Sequence, residues 1–292
     1  MLDFRVYTFL EVCRHMNFTK AAEALHITQP AVSQHIRFIE EYYQTRLFTF
    51  QGKRPVLTEG GEYLLHAFTT LSHDQVYLKE QVLSMQNKKP ALIFGATLTI
   101  GEYVMPKYLI EYQTRHPDTA LTMITANTHE LLGRISEGEI DFAIVEGYFD
   151  KTQYDYLTFS LEPYIAVAGH PLPGGRRPRT VSDLFGQKLL IREAGSGTRE
   201  ILEKHLAARN LSIQNFASVS EIGNIPALKA LVSAGLGITF LYRSAVEEEL
   251  CAKTLFEITP EDFSVTHDFT LIWQKGSVFA SRYRTLFEEW KE

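Results

Sequence analysis

Cysteine is scarce: Cys13 and Cys251 are the only two in 292 residues, and they stand far apart. That excludes a disulfide framework and the usual Cys-rich zinc spacings. The ten histidines are scattered and no two lie four residues apart, so the His-x-x-x-His signature of a helical zinc site is missing. No apolar run approaches about 18 residues, so no membrane-spanning helix is expected. The opening, MLDFRVYTFLEVCRHMNF, has no basic stretch followed by a long apolar core, and no signal peptide is read. No Gly-x-Gly-x-x-Gly follows an apolar run, and no Gly-x-x-x-x-Gly-Lys-Ser/Thr occurs. Gly195-Ser196-Gly197 lacks the spacing of a nucleophile elbow. The expectation is a reduced, cytoplasmic protein that is not an enzyme and holds no metal or resident cofactor.

At roughly 100–200 residues per domain, the length suggests about two domains. The net charge of −6 speaks against nucleic acid, but it is unevenly spread. Residues 1–58 carry seven Lys/Arg against five acids, +2 in all; residues 59–89 carry −1 and residues 90–292 carry −7. A slightly basic head therefore precedes an acidic body.

In the head, Phe4, Tyr7, Phe9, Leu10, Val12 and Cys13 recur at near-helical spacing, giving a first helix over about 3–15. Thr19 is the expected N-cap of a short second helix, Lys20 to Leu25. Thr28 caps a third helix from Gln29 to about Tyr43, with Pro30 harmless in its first turn. Ala31, Val32, Ile36 and Ile39 form the apolar face of the third helix, while Gln29, Ser33, Gln34 and Arg37 lie on another face. Two short helices joined by a tight turn read as a helix-turn-helix, whose second helix enters the major groove. Gln can pair with adenine, Ser with either base type, and Arg with guanine or phosphate. Spacing alone leaves a plain three-helix bundle open.

The next segment adds a basic hairpin. Gly52 and Pro55 punctuate Thr49 to Thr58, with Lys53 and Arg54 at its tip. Beside a helix-turn-helix such a hairpin is a wing that brings cations to phosphate or into the minor groove.

The run Phe18-Thr-Lys-Ala-Ala-Glu-Ala-Leu-His-Ile-Thr-Gln-Pro-Ala-Val-Ser-Gln-His-Ile36, with Leu47-Phe48 and Leu57-Thr-Glu-Gly-Gly61, resembles the N-terminal signature of LysR-type transcriptional regulators. The resemblance implies an α+β protein overall: an N-terminal winged helix-turn-helix, a long linker helix, and a two-lobed α/β effector domain like a periplasmic binding protein. It implies DNA contacts from Thr19, Thr28, Gln29, Pro30, Ser33, Gln34, Arg37, Lys53 and Arg54. Two positions depart from the family pattern. Gln44 stands where members usually have Gly, and Phe50 where they usually have an Arg that serves phosphate. Arg46, Lys53 and Arg54 are the candidate substitutes for that cation.

From Leu57 a 4-3 spacing of apolar or small residues runs through Gly61, Leu64, Phe68, Leu71, Gln75, Leu78, Val82 and Met85. It reads as a dimerisation seam of about four heptads, with Leu64, Phe68, Leu71, Gln75, Leu78 and Val82 at its core and Gln75 fixing register. Lys88-Lys89-Pro90 ends the helix and marks a hinge. The divisions expected are therefore 1–58, 59–89 and 90–292.

In the body, short apolar runs alternate with helical segments, which means an α/β domain with parallel sheets. The resemblance implies two lobes, one of about 90–162 and 267–292 and one of about 163–266, with crossings near Glu162-Pro163 and Thr266-His267. Ligands of such sheets sit at strand carboxyl ends, near helix N-termini. Four places qualify: Thr97-Leu98-Thr99-Ile100-Gly101, Asn127-Thr128-His129, Arg192 to Arg199, and Ile222-Gly223-Asn224. The third is an anion nest, with glycines for close approach, Ser196 and Thr198 hydroxyls and the Arg199 charge. The effector-binding candidates are Thr97, Thr99, Ile100, Asn127, Thr128, Glu146, Gly195, Ser196, Gly197, Thr198, Arg199 and Asn224. Glu247-Glu248-Glu249 is expected to be a solvated helix end.

Arg192 to Arg199, with Thr99-Ile100-Gly101 and Glu146-Gly147, resembles the branch that regulates sulfur assimilation, sulfite response and carbon fixation. That branch implies a small anionic effector, a sulfur oxyanion or a phosphorylated metabolite. Ile225-Pro226 departs from it, where polar residues are usual. The expected function is sequence-specific transcriptional regulation through double-stranded operator DNA, as a homodimer or homotetramer, with RNA polymerase a further candidate partner and no membrane. A small-molecule-binding protein without DNA function would not explain the wing. An enzyme on a two-lobed body would need a catalytic constellation, and a non-specific architectural DNA binder is at odds with the acidic body.

Overall fold

A computed structural model describes residues 1–52, 54–87, 91–172 and 176–291. Lys53, the Lys88-Lys89-Pro90 hinge and the Met85 side chain therefore lie outside the described residues.

The head is three helices and a hairpin. Helix α1 (Phe4–His15) is capped by Asp3, α2 (Phe18–Ala24) follows, and α3 (Gln29–Tyr43) is capped by Thr28. The cap of α2 differs from expectation. Asn17 Oδ1 accepts the backbone N–H groups of Thr19 and Lys20 at 2.9 and 3.0 Å, so the helix starts one residue before Thr19. Asn is among the strongest N-caps, and here its one oxygen accepts from two of the helix's orphan N–H donors. Strands β1 (Phe48–Gln51) and β2 (Arg54–Leu57) pair antiparallel. Phe9, Val12, Val32, Ile36, Ile39, Leu47 and Phe48 form the head's buried core.

Helix α4 (Glu59–Asn87) begins where Thr58 Oγ1 accepts the Gly61 N–H at 3.0 Å. Gly61 has to be glycine because a Cβ there would collide with the Leu47 carbonyl. The seam predicted along α4 divides. Leu64 and Phe68 are 6% and 4% exposed and belong to the head's own core, so they are not free for a partner. Gln75, expected to set register, donates to the Tyr7 hydroxyl at 2.7 Å and accepts the Leu2 N–H, both within its own chain. Leu71, Leu78 and Val82 remain about half exposed, at 48%, 54% and 47%. The correction has a simple cause: a 4-3 stripe marks a face that is buried, and the first turns of α4 bury theirs against α1.

Among the described residues, the body forms one mixed nine-stranded sheet rather than parallel sheets alone. Its first part holds β3 (Ala91–Ala96), a π turn over Ile100–Val104 leading into α5 (Met105–Arg115), β4 (Ala120–Thr125), α6 (Thr128–Glu137) and β5 (Phe142–Val145). The long β6 (Tyr154–Ala168) leads to β7 (Lys188–Ile191), α7 (Gly197–Ala207), β8 (Ser218–Glu221), α8 (Ile225–Ser233), β9 (Ile238–Tyr242), α9 (Glu247–Cys251) and β10 (Phe256–Glu257). The chain returns by β11 (Val265–Gln274) to α10 (Ala280–Lys291). Parallel pairs β3–β4, β3–β5, β7–β8 and β7–β9 lie on either side of β6 and β11, which run antiparallel to each other. The two expected crossings face one another there, Glu162 opposite His267 and Pro163 opposite Thr266.

The body also holds α4. Asp74 accepts the Ser277 hydroxyl at 2.6 Å and the Val278 N–H at 2.9 Å, and Tyr77 packs edge-on against Phe279 at 4.3 Å. Burial would raise the Asp74 pKa, but bonds from His73, Ser277 and Val278 pull it below the ordinary range. On the head side, Arg14 pairs with Glu137 of α6 at 3.1 Å. Among the described residues, no helix is long and apolar enough to cross a membrane.

Candidate functional site

Two surfaces emerge, one on the head and one within the body. On the head, Thr28 Oγ1 accepts the Ala31 N–H at 3.3 Å and holds the first turn of α3. Gln29 Nε2 donates to Ser33 Oγ at 2.9 Å, so these side chains are ordered as a pair one turn apart. Thr19, Gln29, Ser33 and Arg54 line one groove between α2, α3 and the hairpin, together with Phe18 and Phe50. Gln34 and Arg37 are exposed, and Arg37 lies against a second depression with Glu40 and Arg46. Arg46 is taken by Glu40, at 3.0 Å, and so is not an unpaired substitute for the missing wing arginine. Gln44 ends α3 in the left-handed conformation, φ 51°, which is the conformation glycine adopts most readily.

In the body, the carboxyl ends of β3 and β5 meet the start of α7. Glu146, just past β5, is 2% exposed. Its Oε1 accepts hydroxyls from Thr198 at 2.9 Å and Thr99 at 3.1 Å, and those two hydroxyls are 3.4 Å apart. Thr128 donates to the Glu146 carbonyl at 2.7 Å, and the Glu146 N–H reaches the Thr97 hydroxyl at 3.4 Å. Tyr164 donates to the Thr198 carbonyl at 2.8 Å. Backbones approach closely: a Cβ on Gly197 would meet the Glu146 carbonyl at 2.8 Å, and one on Gly147 would meet Gly197 Cα at 3.1 Å. Thr97, Thr99, Thr128, Glu146, Gly197 and Thr198 are thus brought into one buried cluster, with Ile100 buried beside it at the π turn. π turns recur at functional sites because they reset which groups face a cleft.

Burial pushes the Glu146 pKa up to about 7, against the pull of the Thr198 and Thr99 bonds and the Arg192 charge. Its Oε2 has no hydrogen-bond partner among the described residues. The same holds for Arg192 Nη1, whose Nε and Nη2 are held by Glu193 at 2.8 Å each, and for the Tyr242 hydroxyl. Ser196 is buried at the head of α7 yet makes no capping bond.

Other expected residues do different work. Asn127 and Asn224 cap α6 and α8, accepting the Glu130 and Ala227 N–H groups at 2.9 and 2.8 Å. Arg199 pairs with Glu203 at 2.8 Å and Glu221 at 2.6 Å, so the charge assigned to the nest is already neutralised. Gly195 is exposed at φ +88° in the turn before α7. Glu249, expected in solvent, pairs with Lys229 at 2.6 Å, and the Lys229 ammonium lies over the Tyr103 ring at 4.4 Å. Arg192 lies in the third expected stretch but not among the effector-binding candidates, and Tyr164 and Tyr242, which the structure sets near Glu146, are not among them either. Arg192 immediately follows a buried strand, and that strand-end position was the available signal; the tyrosines read only as strand core.

Residues 5–62 match the profile described as "Bacterial regulatory helix-turn-helix protein, lysR family", and residues 86–292 match "LysR substrate binding domain". The "HTH-type transcriptional regulator CysL" of Bacillus subtilis is 31% identical over 273 residues, covering 91% of this chain and 88% of its own. The "RuBisCO operon transcriptional regulator" of Acidithiobacillus ferrooxidans is 29% identical over 284 residues, with 96% and 90% covered. Among solved structures, full-length LysG from Corynebacterium glutamicum, with bound effector Arg, superposes with a TM-score of 0.62 at 16% identity, covering 100% of this chain and 98% of that one. The CcmR regulatory domain of Synechocystis PCC6803, in complex with 2-PG, gives 0.61 at 21%, covering 70% and 99%.

Proposed function

Because this chain belongs to the LysR family of transcriptional regulators, we propose that its head reads a specific operator as part of a homo-oligomer and that its body takes a small anion at the Glu146–Thr198 cluster. The division of labour proposed is residues 1–58 for DNA, 59–89 for pairing and 90–292 for the effector. Leu71, Leu78 and Val82 carry the pairing, since they are the seam residues left uncovered.

One observation carries the anion reading: the Arg192 guanidinium is 2% exposed and, among the described residues, its Nη1 has no hydrogen-bond partner and the nearby Ser196 side chain makes no cap at the start of α7. A buried cation without a full partner set is costly unless a ligand completes it. Helix N-termini favour negative charge. Glu146 is compatible with an anion because a carboxyl held at about 7 is substantially in the acid form at neutral pH and can then donate. The effector class proposed, a sulfur oxyanion or a phosphorylated metabolite, follows from the resemblance to the sulfur-assimilation and carbon-fixation branch, with which relatives named CysL and RuBisCO operon regulator agree.

A labelled fragment from upstream of the protein's own gene tests the operator reading. It should shift at physiological salt, lose affinity steeply as salt rises, and outcompete random DNA. No preference over random DNA would overturn it.

A further inference from the structure

Strand β1 carries two phenylalanines on one face, as residues two apart must be. Phe48 is 7% exposed and sits in the head's core, while Phe50 is 61% exposed. The Phe18 ring bridges them, 5.4 Å from Phe48 and 6.1 Å from Phe50. Phe50 is thus an aromatic ring propped at the rim of the core. It lines the same groove as Gln29 and Ser33, from the first turns of α3, and Arg54 of the hairpin.

A ring there has no hydrogen-bond donor and cannot do what an arginine does for phosphate. The major-groove edges of the four bases offer one apolar group, the thymine C5-methyl. We propose that Phe50 is a specificity residue that packs on a thymine methyl next to the bases reached by Gln29 and Ser33. The inference rests on the operator reading above. What commits it to DNA is the continuity of the ring with the polar face of α3: a duplex seated on Gln29, Ser33 and Arg54 covers Phe50 as well. The hairpin then reads sequence as well as binding backbone, with Phe50 giving up charge for selectivity.

The test begins with the full chain and a site selected from random DNA. Deoxyuridine, which pairs as thymidine does but lacks the methyl, then replaces each thymidine in turn. The wild type should lose about fourfold in affinity at one position per half-site, the worth of one methyl-sized group removed from water. Phe50→Ala should bind the unsubstituted site more weakly and lose that uracil sensitivity, while Ser33→Ala keeps it. Phe50→Arg should steepen the slope of log K against log salt by about 0.9 per added phosphate contact. Uracil sensitivity equal in the wild type and Phe50→Ala, or a Phe50→Ala loss that is uniform over all sequences, overturns the proposal but leaves the operator reading intact. Failure to select any preferred site overturns the operator reading and this inference with it.

Discussion

The Glu146 carboxylate accepts the Thr198 hydroxyl at 2.9 Å, tying the residue after β5 to the first turn of α7. Burial pushes that carboxyl's pKa up to about 7. An anion that competes for the Thr198 and Thr99 hydroxyls biases the protein's conformation only if it binds one arrangement more tightly than another.

Glu146 should make the body less stable as pH rises. Its folded pKa of about 7 lies above the roughly 4.3 of an unfolded Glu, so the folded state binds the extra proton. That contribution is fully present below about pH 4.3 and is lost as pH climbs through 7, a swing of roughly 4 kcal/mol. Glu146→Gln should flatten the difference: measured by thermal melts between pH 5 and 8, the variant gains on the wild type at the alkaline end. An equal pH slope in both proteins would disprove the assignment.

Gly197 permits the close approach of α7 to Glu146. Gly197→Ala inserts a Cβ 2.8 Å from the Glu146 carbonyl and should cost about 1–3 kcal/mol, unless α7 moves away from the end of β5. Small-angle scattering should then show a more open body, or melts a lower Tm. A variant unchanged in both would mean that the approach is not tight.

Along α4, two substitutions should separate folding from pairing. Gln75→Leu loses its bonds to Tyr7 and Leu2 and should lower stability by about 1–2 kcal/mol, leaving the oligomer intact. Leu78→Asp places a charge on the uncovered stripe and should weaken association without lowering head stability. Analytical ultracentrifugation checks both. Dissociation by Gln75→Leu, with Leu78→Asp silent, would restore Gln75 to the seam.

The head contains a position that can be improved. Gln44 holds φ 51°, a conformation that costs an L-residue roughly 1–2 kcal/mol. Gln44→Gly should raise the head's stability by about 1 kcal/mol in urea melts. A loss of stability would show that the Gln44 side chain contributes more than its backbone costs.

Local signals carried most of the fold. Thr28 before Pro30, the turn residues Gly52 and Pro55, and the alternation of apolar runs with helices each state a short-range preference, and each expected element exists. The long antiparallel pair β6–β11 was legible only in part, because it joins residues about a hundred apart and periodicity reports no partner. The site shows the same limit. Thr99 and Thr198 follow from strand ends and Glu146 only from the branch resemblance, while the Arg199 charge that the sequence offers is neutralised by Glu203 and Glu221. The seam of α4 erred because burial by one's own chain and burial by a partner write the same 4-3 pattern.

A small anion at Glu146, Thr99 and Thr198 is proposed to change how the head holds DNA. The most direct test is calorimetric titration of the full chain with sulfate, sulfite, thiosulfate, phosphate and short phosphorylated acids, with and without operator. The account predicts saturable binding of at least one anion, weakened about tenfold or more by Thr198→Val, and an anion affinity that operator shifts by the same factor as the anion shifts operator affinity. No anion binding at millimolar concentration, or binding indifferent to both Thr198→Val and operator, would contradict it.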